Sequence, residues 1–101
     1  MDDTDGINST VAKGKLKSGL LFAKSGRLDR ACELWQQARM EAPDSISIIY
    51  NIGVCAEASG DLTNALALYK EADQNLLEPD PVINDALSRV QSRLKIKPTV
   101  F

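Results

Sequence analysis

Residues 46–72 of the chain, ISIIYNIGVCAEASGDLTNALALYKEA, decide the fold because an earlier stretch repeats their pattern. A shift of 34 residues aligns them with residues 12–38, AKGKLKSGLLFAKSGRLDRACELWQQA. Seven aligned pairs are identical: Gly19 and Gly53, Ser25 and Ser59, Gly26 and Gly60, Leu28 and Leu62, Ala31 and Ala65, Leu34 and Leu68, and Ala38 and Ala72. Chance would give roughly two or three identities. The chain therefore contains an internal repeat.

Each repeat reads as two helices joined by a glycine turn. In the second repeat, the apolar residues of the first helix follow helical spacing up to Gly60, a residue able to take the left-handed conformation that ends helices. A second apolar stripe follows, formed by Leu62, Ala65, Leu66, Tyr69, Ala72 and Leu76. The first repeat has the same order around Gly26. We therefore expect two helical hairpins.

Gly19 and Gly53 lie in the middle of predicted helices, where glycine costs about 1 kcal/mol relative to alanine. A close helix crossing would offset this cost. We expect the partner helix to approach at Ala31 and Ala65, with Trp35 and Tyr69 filling the space beside the crossing.

Helix boundaries follow from prolines and capping residues. Asp44 or Ser45 would cap the first helix of the second repeat, and Asp80 followed by Pro81 would begin a fifth helix that runs to about Lys95. Such a helix covers the last apolar face of a solenoid. The predicted division is a flexible acidic segment 1–11, repeat units 12–45 and 46–79, a capping helix 80–96 and a tail 97–101.

The composition excludes several kinds of active site and metal site. The 101 residues include 12 Lys or Arg and 14 Asp or Glu, giving a net charge of −2, and no histidine. The chain thus lacks imidazole bases, histidine-dependent nucleophiles and histidine metal ligands. We expect no enzymatic activity and no cofactor or metal. Cys32 and Cys55 could be neighbours on adjacent helices, but we expect both to be reduced core residues.

No apolar run is long enough for a transmembrane helix, and the acidic start is unlike a signal peptide. Membrane insertion is therefore not expected. Localisation stays undetermined, with a slight preference for the cytoplasm. A cell-envelope location stays open if the chain is an excised fragment.

The repeats resemble the tetratricopeptide repeat family. The resemblance covers residues 12–95 and rests on the glycine in the middle of each first helix, the turn glycine and two alanines on either side of an aromatic residue. The first repeat departs from the family at Lys15 and Ser18, where large apolar residues are usual, so its first helix should be partly exposed. The resemblance implies a right-handed all-α solenoid of two hairpins plus a capping helix.

The resemblance further implies that first helices line a concave groove that holds a partner segment. The candidate partner-binding residues are Lys13, Leu16, Lys17, Leu20, Lys24, Tyr50, Asn51, Val54 and Glu57. In this family some grooves grip the carboxylate tails of chaperones, but here Asn51 alone stands at a matching clamp position. A chaperone clamp is therefore not expected, and Asn51 should instead bond between helices. The apolar members could alternatively be covered by the amino-terminal segment or by another repeat.

Charge is unevenly distributed along the chain. Residues 12–30 carry six basic groups and one acidic group, whereas residues 46–79 carry Lys70 against five acidic groups. Such a dipole could steer an acidic partner to the first helix or could simply be solvated. The expected function is a non-enzymatic scaffold or adaptor for a protein or peptide, without nucleic acid. The alternative is structural assembly, as terminal repeats of a longer protein or by homo-oligomerisation.

Overall fold

The computed structural model describes residues 9–95, which form five helices and no strand. The helices are α1 (Thr10–Lys24), α2 (Leu28–Glu41), α3 (Ile46–Ala58), α4 (Leu62–Gln74) and α5 (Pro81–Arg93). Each helix packs against the next, so two hairpins stack and α5 closes one end. The all-helical α-solenoid is confirmed. The tail 97–101 and most of the acidic segment 1–11 lie outside the described residues, while Thr10 and Val11 already belong to α1.

All of the five helices except α2 begin where a capping side chain accepts a hydrogen bond from a free backbone N–H group. Ser9 caps α1, and the Ser45 hydroxyl, rather than Asp44, accepts from Ile48 N at 3.3 Å. Asp80 accepts from Val82 N at 2.8 Å, and Pro81 occupies the first turn of α5. The proline has no N–H to satisfy at this position. The predicted start of the fifth helix is thus confirmed.

The two hairpin turns share one backbone conformation. Gly26 and Gly60 both have φ of +86°, a region that residues with a side chain rarely adopt. Arg27 N donates to Phe22 O at 2.8 Å and Asp61 N donates to Ala56 O at 2.9 Å, which closes the last turn of α1 and of α3. The repeat therefore extends to the backbone geometry of the turns.

The mid-helix glycines make room for aromatic rings. A Cβ on Gly53 would lie 2.6 Å from Cε1 of Tyr69, and one on Gly19 would overlap the indole of Trp35. The expectation of a close approach is confirmed, and the atoms nearest to each glycine belong to the aromatic ring of the partner helix. Ala31 and Ala65 are fully buried nearby in the same helix pairs.

Two apolar clusters form the interior. One joins both hairpins and reaches Ile83 of α5, and the other joins α4 to α5 through Tyr69, Ala86 and Val90. Because the inner stripe of α5 is fully buried, α5 docks as the predicted capping helix does.

A disulfide links the two hairpins. Cys32 of α2 and Cys55 of α3 are bonded, with their Cα atoms 5.9 Å apart, so the expectation of reduced thiols was wrong. Both cysteines are half-buried and line a surface cleft. The two helices approach closely enough at these positions for a covalent bond, a distance that residue spacing alone did not give.

Candidate partner-binding surface

The sequence-predicted site residues occupy equivalent stripes on α1 and α3. Leu20 and Val54 are related by the repeat of 34, as are Lys17 and Asn51. On each helix the members recur every three or four residues and so share one side. The candidate face denotes the residues of these stripes that remain at the surface: Lys13, Lys17, Leu20, Lys24, Tyr50, Asn51 and Val54.

Leu16 does not belong to the candidate face, which corrects the prediction. Its side chain is fully buried in the cluster that joins both hairpins. Its carbonyl oxygen accepts a hydrogen bond from Trp35 Nε1 at 3.2 Å. A residue at the edge of a helical stripe can turn toward either side, and Leu16 turns inward, where it packs in the same cluster as Trp35 and Ile49.

On α1 the candidate face is basic with an apolar centre. Lys17 and Lys24 are exposed, whereas Lys13 and Leu20 are half-buried. α1 contains no acidic residue, and within residues 9–95 its lysines enter no ion pair.

On α3 the candidate face centres on Tyr50. Its ring lies 5.6 Å from the ring of Tyr69 at an angle of 36°, and it packs against both apolar clusters. Burial raises the pKa of the Tyr50 phenol, against the opposing charge of Arg89, so the ring stays neutral. Val54, one turn after Tyr50 on the same side of α3, is also half-buried. An aromatic ring held in one orientation costs a ligand little entropy to bind.

Asn51 does not bond between helices as expected. Its Nδ2 donates to Ser47 O at 2.7 Å, one turn earlier in the same helix. Asn51 is half-buried and lies next to Tyr50 on the candidate face. Local bonding of an amide to the preceding turn competes with longer-range pairing.

Glu57 is engaged inside the molecule, which corrects its assignment to partner binding. Its carboxylate accepts from Arg89 at 2.6 and 2.8 Å and from the Tyr69 hydroxyl at 2.8 Å, and Arg93 lies 3.5 Å away. The Arg89 bonds, opposed by burial and helped by Tyr69, lower the Glu57 pKa to about 2. Burial and the bond to Glu57 raise the Tyr69 pKa, and the same carboxylate raises that of Arg89.

This polar cluster ties α3 and α4 to α5, and sequence reasoning missed its basic half. Arg89 and Arg93 follow Glu57 by 32 and 36 residues, close to one repeat length. Residues at that separation fall on successive first helices. The opposite charges of Glu57 and the two arginines were therefore a sequence signal for this contact. Arg89 is half-exposed, whereas Glu57 is only 13% exposed. The ion pair therefore lies at the edge of the interface between α3 and α5.

Comparison with known proteins gives one weak relationship. The chain is 28% identical over 78 residues, 77% of its length, to a human protein described as an antiviral innate immune response effector, IFIT1. That match spans 16% of the human protein's length. No protein-family model matches the chain, and no solved structure matches it.

Other kinds of site were sought in the same part of the chain. Residues 9–95 hold no group of three or more histidine, cysteine or acidic side chains placed to bind a metal ion. None of their five helices has both the length and the apolar character needed to cross a bilayer.

Proposed function

We propose that the chain is a non-enzymatic protein-interaction module of the tetratricopeptide type that binds a segment of a partner protein on the candidate face. The repeat pattern supports the family assignment, since the seven identities, the two turn glycines and the ring-on-glycine packing recur in both hairpins. The weak similarity to the human protein is compatible with it.

The observation that carries the proposal is that equivalent stripes on α1 and α3 both keep apolar side chains partly exposed, and that the stripe on α1 also carries lysines that enter no ion pair within residues 9–95. Leu20, Tyr50 and Val54 keep part of their surface in solvent, and Lys17 and Lys24 on α1 are exposed. Partial apolar exposure within a charged border is typical of a binding surface. A segment that alternates apolar and acidic side chains would match it.

The side chains on α1 and α3 favour a protein ligand over a nucleic acid, and they do not favour catalysis. The α1 lysines are not interleaved with exposed aromatic rings, which single-stranded nucleic acid would use for stacking. The carboxylate with the lowered pKa, Glu57, is held by Arg89 and Tyr69 and is not poised to exchange a proton near neutral pH.

Structural assembly is the second candidate function. Val11 and Leu21 on α1 are 53% and 68% exposed, which favours contact with another folded surface. Sedimentation at several concentrations tests self-assembly. A monomer at all concentrations would remove homo-oligomerisation from this alternative.

Selection of peptides from a random displayed library tests the main proposal. We expect selected peptides to be enriched in acidic residues and to bind the Lys17→Glu/Lys24→Glu variant at least about ten-fold more weakly, since each exposed ion pair contributes up to about 1 kcal/mol. Lys70→Glu/Lys95→Glu is the matched control, because it makes the same charge change on exposed lysines outside the candidate face. Equal losses in both variants would contradict binding on the candidate face.

A further inference from the structure

A second surface on α1 is separate from the candidate face. Ser18, Leu21, Phe22 and Ser25 line a cleft of about 270 Å³. Together with Val11 they form the open face of α1. This face lies roughly one third of a helical turn away from Lys17 and Leu20, so one ligand can occupy either surface without the other.

The repeat relates this cleft to a second one that is already partly filled. Adding 34 to the four lining positions gives Ile52, Cys55, Ala56 and Ser59, and these four residues line a cleft of about 300 Å³ on α3. The rest of that second cleft is lined by Cys32 and Gln36 of α2 and by Asp61 and Asn64 at the start of α4. α2 thus lies across the face of α3 that corresponds to the open face of α1.

The equivalent positions on the two helices differ in exposure. Ile52 is 9% exposed and Cys55 is half-buried on α3, whereas their equivalents on α1, Ser18 and Leu21, are exposed, Leu21 by 68%. Within residues 9–95, no helix occupies on α1 the place that α2 takes on α3. The open face therefore has the shape of a helix-docking surface, and the covered face of α3 shows which kind of element fits it.

Differences between the two faces indicate what the docking helix must supply. Ser18 stands where α3 has Ile52, and Gly14, where an added Cβ would meet no atom within 4 Å, stands where α3 has Ile48. These small residues leave room for a large apolar side chain from the incoming helix. The guanidinium of Arg30 lies 5.7 Å from the centre of the Phe22 ring and helps to hold the wall of the cleft.

Charge further restricts the docking helix. α1 carries four lysines and no acidic residue, and half-buried Lys15 lies on the same side as Val11 and Phe22. Arg30 beside the ring is already paired with Glu33 at 3.0 Å, so within residues 9–95 the unpaired positive charge beside this face comes from the α1 lysines. A helix with acidic residues along its border would meet complementary charge, whereas a basic helix would be repelled.

We propose that the open face of α1 binds an amphipathic helix of a partner protein in the orientation that α2 adopts on α3. The helix places a large apolar side chain in the cleft beside Leu21 and Phe22, and its acidic border faces the α1 lysines. This surface does not depend on binding at the candidate face.

Disulfide trapping tests both the surface and the orientation. Leu21→Cys places a thiol where α3 has Cys55. The probe is a synthetic peptide of residues 27–42 that keeps the cysteine of position 32 and carries Gln36→Leu and Arg39→Glu. Leu77→Cys is the matched control, because Leu77 is fully exposed outside α1. In a glutathione buffer, mass spectrometry follows the bond between the peptide cysteine and the introduced cysteine.

We expect the peptide to join Leu21→Cys at least about ten-fold faster than Leu77→Cys, because only at position 21 would the leucine introduced into the peptide be buried. A control peptide with Gln36→Ser and Arg39→Lys should lose that advantage. Equal rates at the two positions would overturn the proposal. Preferential joining of two Leu21→Cys chains would overturn it in favour of a second copy.

Equilibrium binding gives a second measurement without an introduced thiol. The labelled peptide, with its cysteine changed to serine, should bind Leu21→Glu about ten-fold more weakly than Leu77→Glu. Weaker binding to Leu21→Glu than to Leu77→Glu supports the proposal, and equal binding overturns it.

Binding to vesicles of phosphatidylserine and phosphatidylcholine tests whether the face binds a lipid surface. Retention of the native chain by these vesicles, with loss in Leu21→Glu, would assign the face to a lipid surface instead.

Discussion

The two hairpins place an aromatic ring against a glycine in the same way but satisfy the polar end of that ring differently. In the first hairpin, Trp35 Nε1 donates to the carbonyl of Leu16 at 3.2 Å, within the hairpin itself. In the second, the Tyr69 hydroxyl donates at 2.8 Å to Glu57, which Arg89 of α5 also holds. The ring of the first hairpin is therefore bonded within its own hairpin, whereas the ring of the second is linked through Glu57 to the capping helix.

This contrast has consequences for stability and for binding. The α1–α2 hairpin uses uncharged groups for the ring, and its Lys17 and Lys24 are exposed. The α3–α4 hairpin uses its carboxylate to hold α5, so its stability depends on protonation. Changes that remove one feature at a time should therefore affect the two hairpins differently.

Gly53→Leu should have the largest effect on the second hairpin. The added side chain would overlap the Tyr69 ring, which is fully buried and cannot move aside. We expect a loss of about 3 kcal/mol or more in unfolding free energy, at the upper end for overpacking. Chemical denaturation followed by circular dichroism measures it.

Gly14→Ala is the matched control, since a Cβ there meets no atom within 4 Å. Replacing this helical glycine should stabilise the chain by about 0.5–1 kcal/mol. An unchanged unfolding midpoint in Gly53→Leu would contradict the ring-on-glycine packing.

Removal of the disulfide should have the next largest effect. The bond joins residues separated by 23 positions, for which loop-closure entropy gives about 3 kcal/mol. A reductant, or the double change Cys32→Ser/Cys55→Ser, should lower the thermal midpoint, and the two treatments should agree. A midpoint that is the same under oxidising and reducing conditions would contradict the link.

Acid should weaken the second hairpin through Glu57. Its pKa is lowered from 4.5 to about 2, so its contribution is present above pH 4.5 and is lost as the pH falls toward 2. Arg89 is 47% exposed, so solvent screening limits the contribution to about 1–2 kcal/mol. Denaturation at pH 6, 4 and 2.5 should show a smaller loss in Glu57→Gln than in the native chain. The exposed-residue control Glu78→Gln should keep the native slope; equal slopes in all three would contradict this role.

Asn51→Ala should have the smallest effect. The Asn51 amide bonds to Ser47 within its own helix, and alanine is the better helix former. The unfolding free energy should change by less than about 0.5 kcal/mol. A loss above about 1.5 kcal/mol in denaturant titration would show that Asn51 bonds between helices after all.

Local features of the fold were predictable from sequence, and features that join repeats were less so. The turn glycines and the Asp80 cap act within a few residues, so spacing and residue type define them. The burial of Leu16 depends on a core that joins both hairpins, and the stripe on α1 alone does not show it. The Cys32–Cys55 bond and the Glu57–Arg89 pair depend on how far one helix is displaced along the next, and the hydrophobic pattern does not determine that displacement.

Backbone chemical-shift mapping by nuclear magnetic resonance tests the binding claim most directly. The native chain would be titrated with the tightest acidic peptide from the displayed-library selection. Binding on the candidate face predicts the largest shifts at Lys17, Leu20, Tyr50 and Val54, with small shifts on α2 and on the outer side of α4. Shifts confined to α2, to α4 or to the open face of α1 would contradict it.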